Sequence, residues 1–154
     1  MAGGGTALRR SVPAPASAVR RAENVNAQTT IDLGAGHSRW GARPWDPNHR
    51  PDGTALERRY DVATSFYVLN VIPEPAERRA HLRLARRLLK HGGRFYAAVR
   101  TDNVCGLGER KRTTKGWQVC RPLDAWRADP IKVCFQGVRK LECRSGYCTL
   151  VGER

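Results

Sequence analysis

The sequence predicts an α/β fold with a mostly parallel sheet, an antiparallel strand at its C-terminal end and an abbreviated first helix. Two stretches predict it. Residues 30–38 form a short apolar strand pattern that ends in a Gly-x-Gly turn, and residues 60–99 give a strand, a helix, a Gly-Gly helix stop and a second strand. Such a crossover makes its two strands parallel neighbours in one sheet. The 154 residues suffice for a single hydrophobic core.

The chain divides into a basic arm and one domain. Residues 1–24 contain three consecutive glycines, a Pro-Ala-Pro segment and two arginine pairs, with few large apolar side chains. Such a composition does not offset the entropy lost on ordering. We therefore predict a flexible basic arm over residues 1–24 and a single domain over residues 25–154.

The turn after the first strand predicts a nucleotide-cofactor site. Asp32 lies at the carboxyl end of that strand, where ligands bind in open α/β sheets. Gly34 and Gly36 have no Cβ to hinder a close approach of the backbone to a ligand. A dinucleotide-binding loop would have a third glycine where this chain has Arg39, so nicotinamide and flavin cofactors are disfavoured. The alternative is an ordinary strand-to-helix turn.

Asp46 is a candidate for a second contact with the same nucleotide cofactor. It follows Gly36 so closely that the segment between them has room for at most about two helical turns and a short strand. A carboxylate at that strand end can accept hydrogen bonds from two ribose hydroxyls. Pro47 ends the strand directly after it.

The middle of the chain supplies the next strands. Ser65 and Phe66 follow a strand predicted over residues 61–64, level with the glycine turn if the strands are parallel. Apolar residues recur every three or four positions in a helix predicted over residues 76–90, and a buried strand is expected over residues 94–99.

The last third has weaker patterns. Residues 107–115 are rich in basic residues between glycines, which is typical of a mobile loop over a cleft or of a phosphate-contacting loop. We expect a strand over residues 131–135 and a final antiparallel strand over residues 147–151.

Several blocks together resemble class I methyltransferases that use S-adenosylmethionine. They are Asp-Leu-Gly-Ala-Gly, Trp-Asp-Pro-Asn-His, Pro-Asp-Gly, Tyr-Val-Leu-Asn-Val-Ile-Pro-Glu-Pro-Ala-Glu-Arg and Val-Arg-Thr-Asp, spread over about residues 30–102. These blocks are similar to small methyltransferase-domain proteins related to those associated with bacterial DNA phosphorothioation. The resemblance implies a compact Rossmann-like fold and S-adenosylmethionine as cofactor. The cofactor-binding residues that it implies are Asp32, Gly34, Ala35, Gly36, Asp46, Ser65 and Phe66.

The resemblance also indicates where a methyl acceptor would lie. Polar groups after the family's fourth and fifth strands are the catalytic candidates, although an ordinary structural hydrogen bond is the alternative for each: Tyr67, Asn70, Arg100 and Asp102. A looser similarity at Thr-Thr-Lys-Gly-Trp-Gln implies three substrate-side residues: Gly116, Trp117 and Gln118. No general base is named, because positioning can supply most of the rate when the methyl group is already activated.

The net charge indicates the kind of partner to expect, and the cysteine spacing bears on disulfides and metal binding. A net charge of +14 favours a nucleic acid or another polyanion as partner, although the arginines are spread along the chain and a solvated surface is the alternative. A protein partner is left open. The five cysteines lack Cys-x-x-Cys spacing, so we expect free thiols and no metal site.

No stretch reaches the roughly 18 apolar residues of a membrane span, and residues 1–25 lack the apolar core of a secretory signal. We therefore expect a cytoplasmic protein with no membrane partner.

The sequence is consistent with two functions. The first is methyl transfer from S-adenosylmethionine to an unidentified acceptor, with an association with nucleic acid. The alternative is a catalytically silent module of the same fold that binds nucleic acid or protein. The shortened segment before Asp46 and the missing third glycine favour this alternative.

Overall fold

The computed structural model describes residues 12–36, 40–102, 109–144 and 146–154. Over these residues the chain forms eight strands and four α-helices. In chain order they are α1 (Ala14–Glu23), β1 (Thr30–Leu33), β2 (Arg43–Trp45), β3 (Tyr60–Phe66), α2 (Pro75–Leu88), β4 (Leu89–Arg100), β5 (Arg110–Thr113), β6 (Gly116–Val119), α3 (Leu123–Trp126), α4 (Lys132–Cys134), β7 (Gln136–Arg144) and β8 (Tyr147–Glu153).

Six of these strands form one sheet in the order β2-β1-β3-β4-β8-β7. β1 is parallel to β2 and β3, and β3 is parallel to β4. β8 is antiparallel to both β4 and β7. The predicted fold class is confirmed, with the parallel strands at one side of the sheet and the antiparallel C-terminal strands at the other.

The register of the parallel strands brings their carboxyl ends together. Asp32 lies opposite Pro44 of β2 and Thr64 of β3. All four residues of β1 are buried, which is expected for a central strand of a parallel sheet. The end of β1 is therefore flanked on both sides by the ends of its neighbours, where the sequence predicted a site.

The two faces of the sheet have separate apolar cores. On one face α2 packs Leu82, Ala85 and Leu88 against the sheet, as its periodicity predicted. The helix ends at Leu88, slightly earlier than expected. Strand β4 begins at once and runs through the Gly-Gly pair that was predicted to stop the helix.

Helix α1 covers the other face and corrects the prediction of a flexible arm. Ala16 and Val19 are fully buried there, in one cluster with Val62 and Tyr96. Glu23, at the end of the helix, forms ion pairs of 2.9 Å with both Arg94 and Arg139. The helix needs little apolar surface of its own because the sheet supplies the rest. The part of the predicted arm at residues 1–11 lies outside the described residues.

Two predictions of secondary structure in the last third are wrong. Residues 131–135 are not a strand: a helical turn ends at Ile131 and α4 follows it. A short apolar run of this kind does not distinguish strand from helix by its periodicity. The predicted loop over residues 107–115 contains strand β5, which pairs with β6 in a hairpin, and residues 107 and 108 lie outside the described residues.

The cysteine prediction is also wrong in part. Cys143 and Cys148 form a disulfide, with their Cα atoms 4.1 Å apart, because they are directly opposite each other in the β7–β8 hairpin. Cys120 is disulfide-bonded as well. Cys134 is a buried free thiol, and burial raises its pKa. None of the helices in the described part of the chain is long and apolar enough to cross a membrane.

Candidate functional site

The glycine turn lies at the carboxyl end of β1 and is fastened to β2. Gly34 and Gly36 have φ angles of 72° and 55°, a region in which side chains with a Cβ are strained. The carbonyl oxygen of Trp45 accepts hydrogen bonds from Gly34 N–H at 2.8 Å and from Ala35 N–H at 3.2 Å. The backbone of the turn is thereby held at the end of the neighbouring strand.

Asp46 completes this attachment. Its side chain is fully buried, and its Oδ2 atom accepts a hydrogen bond of 3.0 Å from Gly36 N–H. Its Oδ1 atom accepts two more, from the backbone N–H groups of Asn48 at 2.9 Å and His49 at 3.1 Å. A carboxylate has about four acceptor positions, so about one remains on Asp46 for a ligand.

The side chain of Asp32, at the end of β1, is hydrogen-bonded to two other segments of the chain. Its Oδ1 atom accepts a hydrogen bond of 2.8 Å from the Thr64 hydroxyl, and its Oδ2 atom accepts one of 2.9 Å from the Trp40 indole N–H. All three side chains are buried. Sequence reasoning did not find the roles of Trp40 and Thr64, because nothing in their local pattern marks them as partners of an acid.

Val68 closes one side of the glycine turn. A Cβ built on Gly34 would lie 2.4 Å from the Cγ2 atom of Val68, so only glycine fits at this position. Tyr67, which precedes Val68, has a φ angle of 61°, and its N–H donates to the carbonyl oxygen of Ala98 at 2.8 Å. The close approach that Gly34 permits is thus made by a side chain of this protein.

Ser65 and Phe66 occupy opposite faces of the sheet at the end of β3. The Ser65 hydroxyl lies 2.8 Å from Nε2 of His81 on α2. Burial lowers the pKa of His81 to about 4, although the charge of Asp46 acts in the opposite direction. The ring is therefore neutral at physiological pH. Phe66 packs instead against Trp40, with ring centroids 6.1 Å apart.

Asn70 is a buried bridge between the strands on the acceptor side. Its Oδ1 atom accepts a hydrogen bond of 2.9 Å from Arg100 N–H, at the end of β4. Its amide N–H donates at 3.2 Å to the carbonyl oxygen of Val119, at the end of β6. The structure therefore gives Asn70 the structural hydrogen bonds that were the alternative to a catalytic role.

Arg100 and Asp102 pair through two hydrogen bonds of 3.0 and 2.5 Å. The pairing lowers the pKa of the Asp102 carboxyl and raises that of the Arg100 guanidinium. Asp102 also lines a cavity of about 250 Å³ at the carboxyl end of β4. The other lining residues of this cavity are Thr101, Cys120, Arg121 and Pro122.

The three predicted substrate-side residues lie together on β6. Gly116, Trp117 and Gln118 pair there with Thr113, Arg112 and Lys111 of β5. The strand packs against residues 69–71, so it borders the same edge of the sheet as Asn70. Within the described ranges, no group of three His, Cys, Asp or Glu side chains could hold a metal ion.

No protein-family model matches the sequence, and no curated protein is significantly similar to it. Solved structures are similar in fold. PigF with S-adenosylhomocysteine is 15% identical with a TM-score of 0.60, covering 92% of this chain and 55% of that chain. CalS10, an amino pentose methyltransferase from Micromonospora echinaspora with S-adenosylmethionine bound, is 14% identical with a TM-score of 0.58, covering 90% of this chain and 87% of its own.

The glycopeptide N-methyltransferase MtfA, in complex with S-adenosylhomocysteine, is 11% identical with a TM-score of 0.59, covering 90% of this chain and 89% of its own. The chain spans 55% of the length of PigF and 51% of the length of an O-methyltransferase family protein from Burkholderia thailandensis that is similar in fold. At these identities the similarity shows the fold: the chain has the class I methyltransferase fold.

Proposed function

We propose that the protein binds S-adenosylmethionine and transfers its methyl group to an acceptor. One observation carries the proposal: a Gly-x-Gly turn with positive φ angles lies at the carboxyl end of β1 and is fastened by the buried Asp46. Structures of the same fold hold S-adenosylmethionine or S-adenosylhomocysteine. The resemblance of sequence blocks to phosphorothioation-associated proteins supports a nucleic-acid acceptor within the same proposal.

The residues around the turn fit an adenosyl cofactor. The backbone of Gly36 has no Cβ to hinder a ligand, and Asp46 retains about one acceptor position for a hydroxyl group. The residues that would hold the cofactor remain those predicted from sequence: Asp32, Gly34, Ala35, Gly36, Asp46, Ser65 and Phe66. The role of each stays a prediction.

Methyl transfer from a sulfonium does not require a catalytic side chain. When bound, the cofactor supplies a methyl group activated by a sulfonium charge. The chain has to align the acceptor and exclude water. In this proposal Asp102, which Arg100 holds on the wall of the cavity, orients a donor group of the acceptor. The low pKa of Asp102 keeps it ionised, which suits an acceptor of hydrogen bonds better than a base that must take up a proton.

A second function is favoured by Val68. Its side chain fills the space that Gly34 leaves open, and His81 engages the Ser65 hydroxyl. A module of this fold without turnover needs no open cofactor site and would keep such contacts. The alternative is therefore a catalytically silent protein that binds nucleic acid or another protein.

Formation of S-adenosylhomocysteine separates the two functions. The protein is incubated with S-adenosylmethionine and, in parallel, with DNA, RNA, protein and small-molecule acceptors. Methyl transfer predicts product that depends on one acceptor and is lost in Gly34→Ala but kept in Gly53→Ala, where the added Cβ meets nothing within 4 Å. Product no higher than in the reaction without protein, for every acceptor, supports the silent module.

A cytoplasmic location also stays a prediction. The disulfide between Cys143 and Cys148 weighs against it, because reducing compartments keep most thiols reduced.

A further inference from the structure

The β5–β6 hairpin forms a sheet of its own, separate from the six-stranded sheet. Every residue of β5 is exposed. The hairpin carries four basic side chains: Arg110, Lys111, Arg112 and Lys115. In chain order it follows β4, and β6 packs against residues 69–71, so the hairpin borders the edge of the sheet where the candidate site lies.

Most of this charge has no internal partner. All the carboxylates of the sequence belong to described residues, so the ion pairs of the hairpin can be assigned completely. Arg110 pairs with Glu74 at 2.9 Å, and both side chains are more than half exposed. No carboxylate lies within ion-pair distance of Lys111, Arg112 or Lys115, in contrast to the arginines at Glu23, Asp102 and Asp129. The charges of these three side chains are therefore not neutralised by a carboxylate of the chain.

Trp117 adds a flat aromatic surface to this charge. The guanidinium of Arg110 lies 5.3 Å from the centroid of its ring, and that of Arg112 lies 5.9 Å from it. Arg112 is directly opposite Trp117 in the pairing, so the two side chains lie on one face of the hairpin. Trp117 is half-buried, which leaves part of its surface open to solvent. Guanidinium groups over an indole ring form a cation–π surface against which a nucleobase can stack.

The hairpin also leads into the acceptor side of the candidate site. Strand β6 ends at Val119, whose carbonyl oxygen is bound by Asn70. The next residues are Cys120, Arg121 and Pro122, which line the cavity together with Asp102. A polymer held along the hairpin would therefore lie beside that cavity.

We infer that the β5–β6 hairpin is a docking surface for single-stranded nucleic acid. Lys111, Arg112 and Lys115 contact its phosphates, and a base stacks against Trp117. An unpaired strand is required because a base within a duplex cannot offer its face to a side chain. The further statement that this strand is the methyl acceptor rests on the proposed function, but the docking itself does not.

A matched pair of triple variants tests the charge. The full chain is titrated with a fluorescein-labelled oligothymidylate at several salt concentrations, without S-adenosylmethionine. The hairpin variant replaces Lys111, Arg112 and Lys115 with Gln. The control replaces Arg59, Arg83 and Arg87 with Gln, which are exposed, have no ion pair and lie outside the hairpin. Both variants lose the same net charge.

The hairpin variant should reduce the slope of log K against log[salt] by about 2, at roughly 0.7 for each phosphate contact with a single strand. The control should keep the slope of the wild type. Equal losses in both variants would overturn the proposal, because binding would then follow net charge and not the hairpin.

Trp117 tests the stacking. Its replacement with Leu should weaken binding at least about fivefold, whereas Trp117→Phe, which keeps an aromatic ring, should bind nearly as the wild type does. Inorganic polyphosphate should compete less well than the oligonucleotide at equal charge. Equal competition, or equal affinity of the Leu and Phe variants, would show a surface that reads charge alone, as an acidic protein partner would require, and would overturn the proposal.

Cross-linking of the wild type avoids any folding defect of the variants. Irradiation with a thiothymidine oligonucleotide, followed by mass spectrometry, should label residues 110–118, and labels confined to other segments would contradict the inference.

Calorimetry with S-adenosylmethionine on the triple hairpin variant distinguishes the docking proposal from the methyl-transfer proposal. Unchanged cofactor binding with lost oligonucleotide binding is the expected result. Oligonucleotide binding without any cofactor binding in the wild type would refute the methyl-transfer proposal alone.

Discussion

The backbone N–H of Gly36 donates a hydrogen bond of 3.0 Å to the buried carboxylate of Asp46. This contact joins the ends of β1 and β2 across the shortened segment between them. The carboxylate of Asp46, directly after β2, thereby holds the glycine turn from the neighbouring strand. Asp46 is thus both a structural anchor and the predicted ribose ligand, and these two roles can be separated.

Replacing Asp46 with Ala should lower the free energy of unfolding by about 2–4 kcal/mol, because three backbone N–H groups lose their acceptor. S-adenosylmethionine binding should weaken by about 1–3 kcal/mol at a temperature where the variant is still folded. Denaturant titration and calorimetry measure the two effects. Asp61→Ala, which removes a solvent-exposed ion pair with Lys90, is the control and should change stability by less than about 1 kcal/mol. Unchanged cofactor affinity in Asp46→Ala would refute the ribose role and leave the anchoring role.

Gly34→Ala should destabilise the protein by about 2–4 kcal/mol, because the new Cβ meets Val68 and the residue has a positive φ angle. Part of this loss should be coupled to Val68, so that Gly34→Ala and Val68→Ala show an interaction energy of about 1–2 kcal/mol in a double-mutant cycle. Gly53→Ala, at an open position with ordinary backbone angles, serves as the control. Strictly additive effects would mean that Val68 does not pack on the turn in solution.

His81 should make stability depend on pH. Its folded pKa of about 4 lies below the ordinary value of 6.5, so the unfolded chain binds a proton more readily between these values. Stability is therefore fully present above about pH 6.5 and falls as the pH drops towards 4, by up to about 3 kcal/mol. His81→Gln should remove this part of the pH profile, whereas His91→Gln, at an exposed position on β4, should not. An identical profile in wild type and His81→Gln would contradict the burial of a neutral ring.

The Cys143–Cys148 disulfide should stabilise the C-terminal hairpin. Replacing both cysteines with Ser should lower the free energy of unfolding by about 2 kcal/mol, the entropic value for closing so short a loop. Thermal unfolding of wild type and variant under oxidising conditions measures the difference, and non-reducing peptide mapping identifies the bond. Equal stability, or unlinked peptides in the wild type, would restore the prediction of free thiols at these positions.

Local sequence patterns predicted the parts of the fold that depend on neighbouring residues. Three such features lie where they were predicted from the sequence: the Gly-x-Gly turn after β1, Asp46 at the end of β2, and the apolar face of α2 with Leu82 and Ala85. In each case the deciding signal, a pair of glycines or a period of three to four residues, lies within one short segment.

The other features depend on contacts between distant segments. Helix α1 is held by the far face of the sheet, through residues such as Val62, so its own composition gave no sign of order. Two contacts of the site join segments that are distant in the sequence: Val68 packs on Gly34, and His81 is hydrogen-bonded to Ser65. Both depend on the packing of β3, α2 and the glycine turn against one another. The disulfide depends on the register of the β7–β8 hairpin, and β7 itself was not predicted.

The proposed cofactor site can be tested by isothermal calorimetry of the wild-type protein with S-adenosylmethionine. We expect saturable binding to one site per chain, weakened in Asp46→Ala and lost in Gly34→Ala, with Gly53→Ala unchanged. No heat of binding at millimolar cofactor, in a protein shown by its thermal transition to be folded, would contradict the proposal that this protein binds S-adenosylmethionine and transfers its methyl group.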